Sequence, residues 1–261
     1  MKGNKLSLKE RQNISLEILI DVDAFCRKHN ITYFMGCGTL LGAVRHQGFI
    51  PWDDDIDILM FRDDFNLFID TYQSERYSLS KPMDGRFCIA KVYDNTTVEY
   101  EAGIDYSGRE PLGVDIDIFP LDGIKNDKKI IDKLYKRECF LEMLLRLANQ
   151  QLFLRKNPFK CINRIIPRII GRRNIVKMII RNQTKYKVDE EDYVVRMKRS
   201  TNGFTGALSK SIYSPIELSF EGHLFLAPAG YDEWLKAFFG DYMKLPPLEK
   251  QKPHEGNCYY K

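Results

Sequence analysis

The stretch DDDIDILM, residues 53–60, puts Asp53, Asp54, Asp55 and Asp57 beside the apolar residues Ile56, Ile58, Leu59 and Met60. Charge that only solubilises is ordinarily spread along a polar face, whereas here it is packed into a segment that reads as a buried strand. Strand alternation sends Asp55 and Asp57 to one face and Ile56 and Ile58 to the other. GVDIDIF, residues 113–119, repeats the pattern, with Asp115 and Asp117 on one side and Val114, Ile116 and Ile118 opposite. If these strands are neighbours, a third carboxylate joins the first pair. Two charges about 6 Å apart repel by roughly 3 kcal/mol at an effective dielectric of about 20. The acids must then take up protons or hold a divalent cation. Oxygen-only ligands favour magnesium or manganese. A single Asp-x-Asp reads as a solvated strand end; two alternating segments, one preceded by a Gly-Thr turn, favour metal.

That turn, GCGT at 36–39, supports the reading. Gly38 would allow close backbone approach. Thr39 is expected to cap a short helix, Thr39–Val44, whose first N–H groups would face a phosphate. Thr39 taken alone would be an ordinary helix cap.

These residues need elements to position them. Ser7 and Glu10 form a capping box for a helix running to Lys28, with Ile14, Ile18, Val22 and Phe25 on one face and Asn30 as the stop. Strands are expected at 31–35 and 55–60, with a helix from Asp63 to Tyr72. Residues 87–94 and 96–101 read as a strand pair turning near Asp94-Asn95. The strand 113–119 is expected to end at Pro120. A long helix follows from Asn126 to about Gln151, then two helices broken near Gly171, a helix Tyr231–Phe239, and an irregular tail containing Pro246, Pro247 and Pro253. Helices alternating with short strands argue a sheet domain of α+β or α/β type with a helical layer inserted or appended.

The chain has 261 residues, 44% apolar and 29% charged, an ordinary globular composition. No stretch of about 20 apolar residues predicts a spanning helix. The N-terminus lacks the apolar core of a signal peptide. Six scattered cysteines without a CxxC pair suit reduced cytosolic thiols better than disulfides or structural zinc. The net charge of +4 conceals an asymmetry: from Met143 to Val188 there is no acid, while twelve Lys and Arg occur. Such a block suggests an anionic partner, membrane surface or polyphosphate. Ile162, Ile165, Ile166, Ile169 and Ile170 share one helical face beside Arg164, Arg168 and Arg172, with Pro167 limiting the helix, and Ile175, Val176, Ile179 and Ile180 repeat the composition. Both segments are expected to lie on an anionic membrane. Without regular aromatic interleaving, the block predicts no nucleic-acid partner.

GTLLGAVRHQGFIPWDDDIDI, followed by DIDIFPLD at 115–122 and by FFGDYMKLPPLEKQ with His254 beyond it, resembles the LicD family, whose distant relatives are fukutin and fukutin-related protein. The resemblance covers most of the chain and is loose from about 125 to 215. It implies an α+β, nucleotidyltransferase-like mixed sheet flanked by helices, with an additional helical region. The implied organisation is a catalytic core at 1–125, a basic acceptor- or membrane-proximal region at 126–215, and a segment at 216–261 that completes the site. The implied reaction is transfer of phosphocholine from CDP-choline to a sugar hydroxyl of a lipid-linked cell-surface glycopolymer precursor, of teichoic acid, capsule or lipopolysaccharide type, with release of CMP. Alternatives are transfer of ribitol or glycerol phosphate from its CDP donor, a CTP-using nucleotidyltransferase, or an inactive membrane-bound scaffold. The family pattern makes Asp55 and Asp57 the metal pair and Asp117 the third carboxylate, around Mg2+ or Mn2+, expected as two ions; Asp115 is extra to it. Gly38 and Thr39 would hold phosphate. Cations around the metals are expected from Lys91, on the strand side shared with Ile89, and from Arg45, His46 and His254. Trp52 would stack on a base or face the choline ammonium, or else anchor its loop on the core. The expected location is cytoplasmic, peripheral on the inner face of the plasma membrane.

Overall fold

A computed structural model describes residues 3–84, 86–101, 103–107, 110–151, 159–197, 207–252 and 257–261, with the side chains of 159–162 left out. Its helices are α1 (Leu8–His29), α2 (Cys37–His46), α3 (Arg62–Thr71), α4 (Lys128–Asn149), α5 (Phe159–Ile170), α6 (Arg172–Gln183) and α7 (Tyr231–Phe239). Its strands are β1 (Phe34–Met35), β2 (Asp57–Phe61), β3 (Tyr77–Ser80), β4 (Ala90–Asp94), β5 (Thr97–Glu99), β6 (Asp115–Ile124), β7 (Tyr193–Val195), β8 (Leu208–Ser209), β9 (Pro215–Phe220), β10 (His223–Pro228) and β11 (Cys258–Tyr260). The main sheet has the order β1-β2-β6-β4-β3, with β7 added to β6 and β8 to β7. Only β2 and β6 run parallel among the described pairs, which makes the sheet mixed, and the helices flank it. This is the α+β, nucleotidyltransferase-like architecture that the family resemblance implies.

α1 forms as its ends dictate: Ser7 and Glu10 exchange both capping-box bonds, and Asn30 takes the left-handed conformation at the C-terminal stop. Its Ile18, Leu19 and Val22 are fully buried, as are Ile58 of β2, Ile118 of β6, and Ala90 and Val92 of β4. The apolar alternation of the strands thus builds the core and leaves the intervening residues on the other face.

Several boundaries differ from expectation. α2 starts at Cys37 with Gly36 as its cap residue, so Thr39 is not the cap but lies buried inside the first turn. β2 begins at Asp57, so Asp55 lies outside the strand and does not share its alternation. The expected hairpin of 87–94 with 96–101 is not formed. Asp94 instead accepts from Thr96 N and Oγ1, turning the chain away, so that β4 pairs with β3 and β6 while β5 pairs with β11. β6 does not stop at Pro120. The amide of Asp117 points to β2, where it donates to Ile56 O, so by alternation the missing N–H of Pro120 points to the opposite edge. On that edge β4 pairs only as far as Ile118 and β7 begins only at Asp122, so Pro120 falls between partners and costs no ladder bond.

The basic segment is also arranged differently. Arg168 donates to Gln150 O at 2.7 Å, Arg172 donates to Ala148 O at 3.1 Å, and Arg164 donates to Gln151 O. These carbonyls lie at the C-terminus of α4, where acceptors lack intrahelical donors and the helix dipole is negative. Asp105 accepts from Arg168 as well. Arg164 and Arg168 of α5 therefore turn inward, while Ile165, Ile166 and Ile169 turn out and are 44%, 60% and 79% exposed. α6 does the opposite. Its Ile175, Val176 and Ile179 are buried against Leu141, Leu145 and Ala148 of α4, so the second expected membrane segment is core. A buried polar network ties α4 and α6 to the sheet. Glu138 accepts from Asn182 and Gln183, Gln183 accepts from Arg62, and Arg62 makes a two-pronged ion pair with Asp122.

Candidate active site

Parallel pairing sets Asp57 of β2 directly opposite Asp117 of β6, and antiparallel pairing sets Lys91 of β4 opposite Asp117 on its other side. Residues opposite one another in a ladder share a face, so Asp57, Asp117 and Lys91 form one row across three strands. Asp115, two residues along β6, lies on the same face. Lys91 Nζ is 2.8 Å from Asp115 Oδ1 and 2.5 Å from Asp117 Oδ1. Burial disfavours the ammonium, but the two carboxylates outweigh it and raise the Lys91 pKa. Asp115 is pushed up to about 7, chiefly by burial and against the pull of Lys91.

Thr39 serves this row through the backbone: its Oγ1 accepts from Asp57 N at 2.8 Å. The loop after α2 runs back along that helix. A Cβ at Gly42 would collide with Gly48 O, and one at Gly38 would stand 2.5 Å from Asp53 Oδ2. The two glycines, one helical turn apart, make the smooth surface on which the loop lies, and the close approach at Gly38 is to the Asp53 carboxylate. Asp53, Asp54 and Asp55 each offer an oxygen within 4.8 Å of the others. Arg11 of α1 pairs with the buried Asp54, and Gln12 donates to Asp53 O at 2.8 Å.

Arg45 and His46 sit at the end of α2 far from Gly38 and Thr39, and Trp52 directly precedes Asp53 in the loop that follows. Arg45 donates to His46 Nε2 and to Tyr242 O, and the His46 ring stands 6.5 Å from that of Trp52. Burial, then the charge of Arg45, lowers the His46 pKa. Trp52 packs against the main core. These contacts hold the loop, and none of them is to Asp57, Asp117 or Lys91. His254 lies outside the described residues.

A cavity of about 250 Å³ opens beside the row. Phe119, two residues beyond Asp117, and Phe87 and Ile89, ahead of β4, line it, with Arg86, Arg146 and Arg196 among its walls. Lys91 Nζ lies 5.0 Å from the centre of the Phe87 ring. Arg196 covers Phe119 at 4.7 Å and donates to Cys37 Sγ at 2.9 Å, joining the cavity to the first turn of α2. The sequence carried no periodicity that singled out Arg196. Arg11 reads as one more solvated charge in the first turn of α1. Only the pairing of Asp53–Asp55 with a nearby cation would have pointed to it.

A mixed sheet that lines up carboxylates from two parallel strands beside a helix N-terminus is the frame of a nucleotidyltransferase-type domain. Residues 30–145 match the family model described as LicD/FKTN/FKRP, nucleotidyltransferase domain. The chain is also 34% identical over 263 residues to the lipopolysaccharide cholinephosphotransferase LicD of Haemophilus influenzae, covering 96% of each. Shorter similarities join it to uncharacterized proteins of Rickettsia typhi, 47% identical over 58 residues (22% of this chain, 19% of that one), and Rickettsia prowazekii, 45% over 65 residues (24% of each). The chain belongs to the LicD family and is a phosphotransferase.

Proposed function

We propose that the chain transfers phosphocholine from CDP-choline to a sugar hydroxyl of a lipid-linked glycan precursor, releasing CMP and depending on Mg2+ or Mn2+. The observation that carries the reading is the in-register row of Asp57, Asp117 and Lys91, in a chain similar over 96% of its length to a cholinephosphotransferase. The donor set fits a hard divalent ion: the carboxylates supply oxygen alone, and those of Asp57 and Asp117 come from strands about 4.8 Å apart. Asp57 and Asp117 would hold the ion, with the Asp53–Asp55 oxygens as the adjoining set that includes Asp55. Bound there, such ions would neutralise the donor diphosphate and acidify the acceptor hydroxyl. On this reading Asp117 would take the hydroxyl proton, and Lys91 would face the phosphate charge that develops. Thr39 fixes the backbone of Asp57, and the first turn of α2 offers N–H groups beside it. The cavity lined by Phe87, Phe119 and Arg196 gives room for an organic group attached to the phosphates.

The same reading seats the chain on the inner face of the plasma membrane through α5. Ile165, Ile166 and Ile169 are exposed on a segment without acids, and no helix among the described residues is long and apolar enough to cross a membrane.

The test is incubation of the purified chain with Mg2+ and CDP-choline, CDP-ribitol, CDP-glycerol or CTP, with and without a lipid-linked glycan. CMP release from CDP-choline that requires the acceptor is expected. Release from a polyol donor alone would change the donor, and diphosphate from CTP would overturn the reading.

A further inference from the structure

Asp115 is the acid in DIDIF that the transfer reaction leaves without a part. It sits on β6 on the same face as Asp117 but two residues away, and β4 brings Tyr93, not an acid, opposite it. Lys91 is shared between the two: its Nζ bonds Asp115 Oδ1 at 2.8 Å and lies 2.5 Å from Asp117 Oδ1. All three side chains are mostly covered, at 15%, 17% and 21% exposure for Lys91, Asp115 and Asp117. On its outer side the ammonium meets the Phe87 ring, which can face a cation but not replace a carboxylate.

This arrangement sets a problem for the proposed ion. Asp117 faces Asp57 across β2 and Lys91 across β4, so a divalent cation at Asp57 and Asp117 and the ammonium of Lys91 would compete for the same carboxylate. Like charges at such a distance repel strongly in a covered site. A buried ammonium stripped of its partner would be costly. Asp115 removes the conflict, because an ammonium has three donors and Asp115 already holds one of them.

We propose that Asp115 is a positioning residue for Lys91: it keeps the ammonium when Asp117 turns to the divalent ion, and so fixes that cation at the edge of the ion site, where a donor phosphate oxygen meets it. The proposal rests on reading Asp57 and Asp117 as the ion pair. It predicts that the ion and Lys91 compete for Asp117, and that Asp115 sets the terms of the competition.

The test is titration of the full chain with Mn2+ alone, followed by calorimetry, for the wild type and for Lys91→Met, Asp115→Asn, Asp115→Glu, Asp117→Asn and the double variant Lys91→Met with Asp115→Asn. Lys91→Met should bind Mn2+ about tenfold or more tighter, because Asp117 no longer gives up an ammonium. Asp115→Asn should bind about tenfold or more weaker, because Lys91 then has Asp117 alone. The double variant should match Lys91→Met, and Asp115→Glu, which keeps a carboxylate, should recover most of the wild-type affinity. Circular dichroism confirms that each variant is folded, and Lys91→Met against wild type carries the comparison if Asp115→Asn is not. Weak binding by the double variant would make Asp115 an ion ligand and overturn the proposal. Equal Mn2+ affinity in wild type, Lys91→Met and Asp115→Asn would overturn it while leaving the ion site standing. No Mn2+ binding by any variant, or binding untouched by Asp117→Asn, would instead overturn the ion site itself.

Discussion

Asp57 and Asp117 stand directly opposite one another where β2 and β6 run parallel, on strands about 4.8 Å apart. Asp57→Asn and Asp117→Asn are expected to lose transfer activity by about 100-fold or more while keeping the fold, since amide and carboxylate are near-isosteric. Asp57→Asn also removes a repulsion, so its thermal midpoint should equal or exceed that of the wild type. CMP release and melting curves check both statements. Undiminished turnover in Asp57→Asn, or in excess chelator, would remove metal from the reaction.

Gly42 is where the loop carrying the acids lies closest to α2. Alanine is the better helix former by about 1 kcal/mol, yet its Cβ would meet the Gly48 carbonyl, which is backbone and cannot swing aside. Gly42→Ala should therefore destabilise by about 1–3 kcal/mol in urea unfolding. A neutral or stabilising result would mean the loop lifts from the helix without penalty.

Glu138 offers a pH-dependent test of the polar network. Burial raises its pKa to about 7 against the lowering effect of Asn182 and Gln183. A raised carboxyl binds its proton more tightly folded than unfolded. Its contribution is complete below the ordinary value of 4.5, declines as pH rises to about 7, and is absent above. The shift is worth at most about 3 kcal/mol. Glu138→Gln removes this dependence. Relative to the wild type, the variant should melt roughly 5 °C higher at pH 8 than it does at pH 5. Parallel melting profiles for the two chains would show that Glu138 ionises in the fold without cost.

The outward isoleucines of α5 separate membrane binding from stability. Ile166→Asp with Ile169→Asp changes exposed positions, so the unfolding free energy should move by no more than about 0.5 kcal/mol per site. Sedimentation with anionic vesicles at low salt should fall sharply in the variant. A wild-type chain that stays in the supernatant would remove the membrane from the function.

Where the chain's own chemistry decides an element locally, the sequence was legible. Ser7 with Glu10 and Asn30 bound α1, and the alternation in DIDIF aimed Asp117 and Ile118 correctly. Properties that depend on a distant partner were not. Which strand lies beside β4 is decided by the side-chain turn at Asp94 and by β11 arriving from the far end of the chain. The burial of Arg164 and the exposure of Ile169 invert what composition suggests, because the end of α4 supplies carbonyls that arginine satisfies better than water-facing lysine would. The pairing of Lys91 with Asp115 and Asp117 needed the register of β4 on β6, which no local pattern encodes. Arg45 and His46 shared a motif with the acids but not a neighbourhood, since one helix length separates the two ends of α2.

Pro120 gives the sheet a deliberate parting. A strand interior normally commits each amide to a neighbour, so a hole in a sheet leaves a donor stranded. At Pro120 there is no donor to strand, and the edge of β6 passes from β4 to β7 across an open rung. The cavity lies at that opening: Ile89 stands on the near side, Arg196 and Met197 on the far side, and Phe119 and Pro120 form its floor. A ring closure on one residue thus lets the chain keep a continuous strand through its carboxylates and still open a recess one step beyond them. The same economy makes the recess hard to lose by drift, since any other residue at position 120 would bring to its floor an amide that water or a ligand must then satisfy.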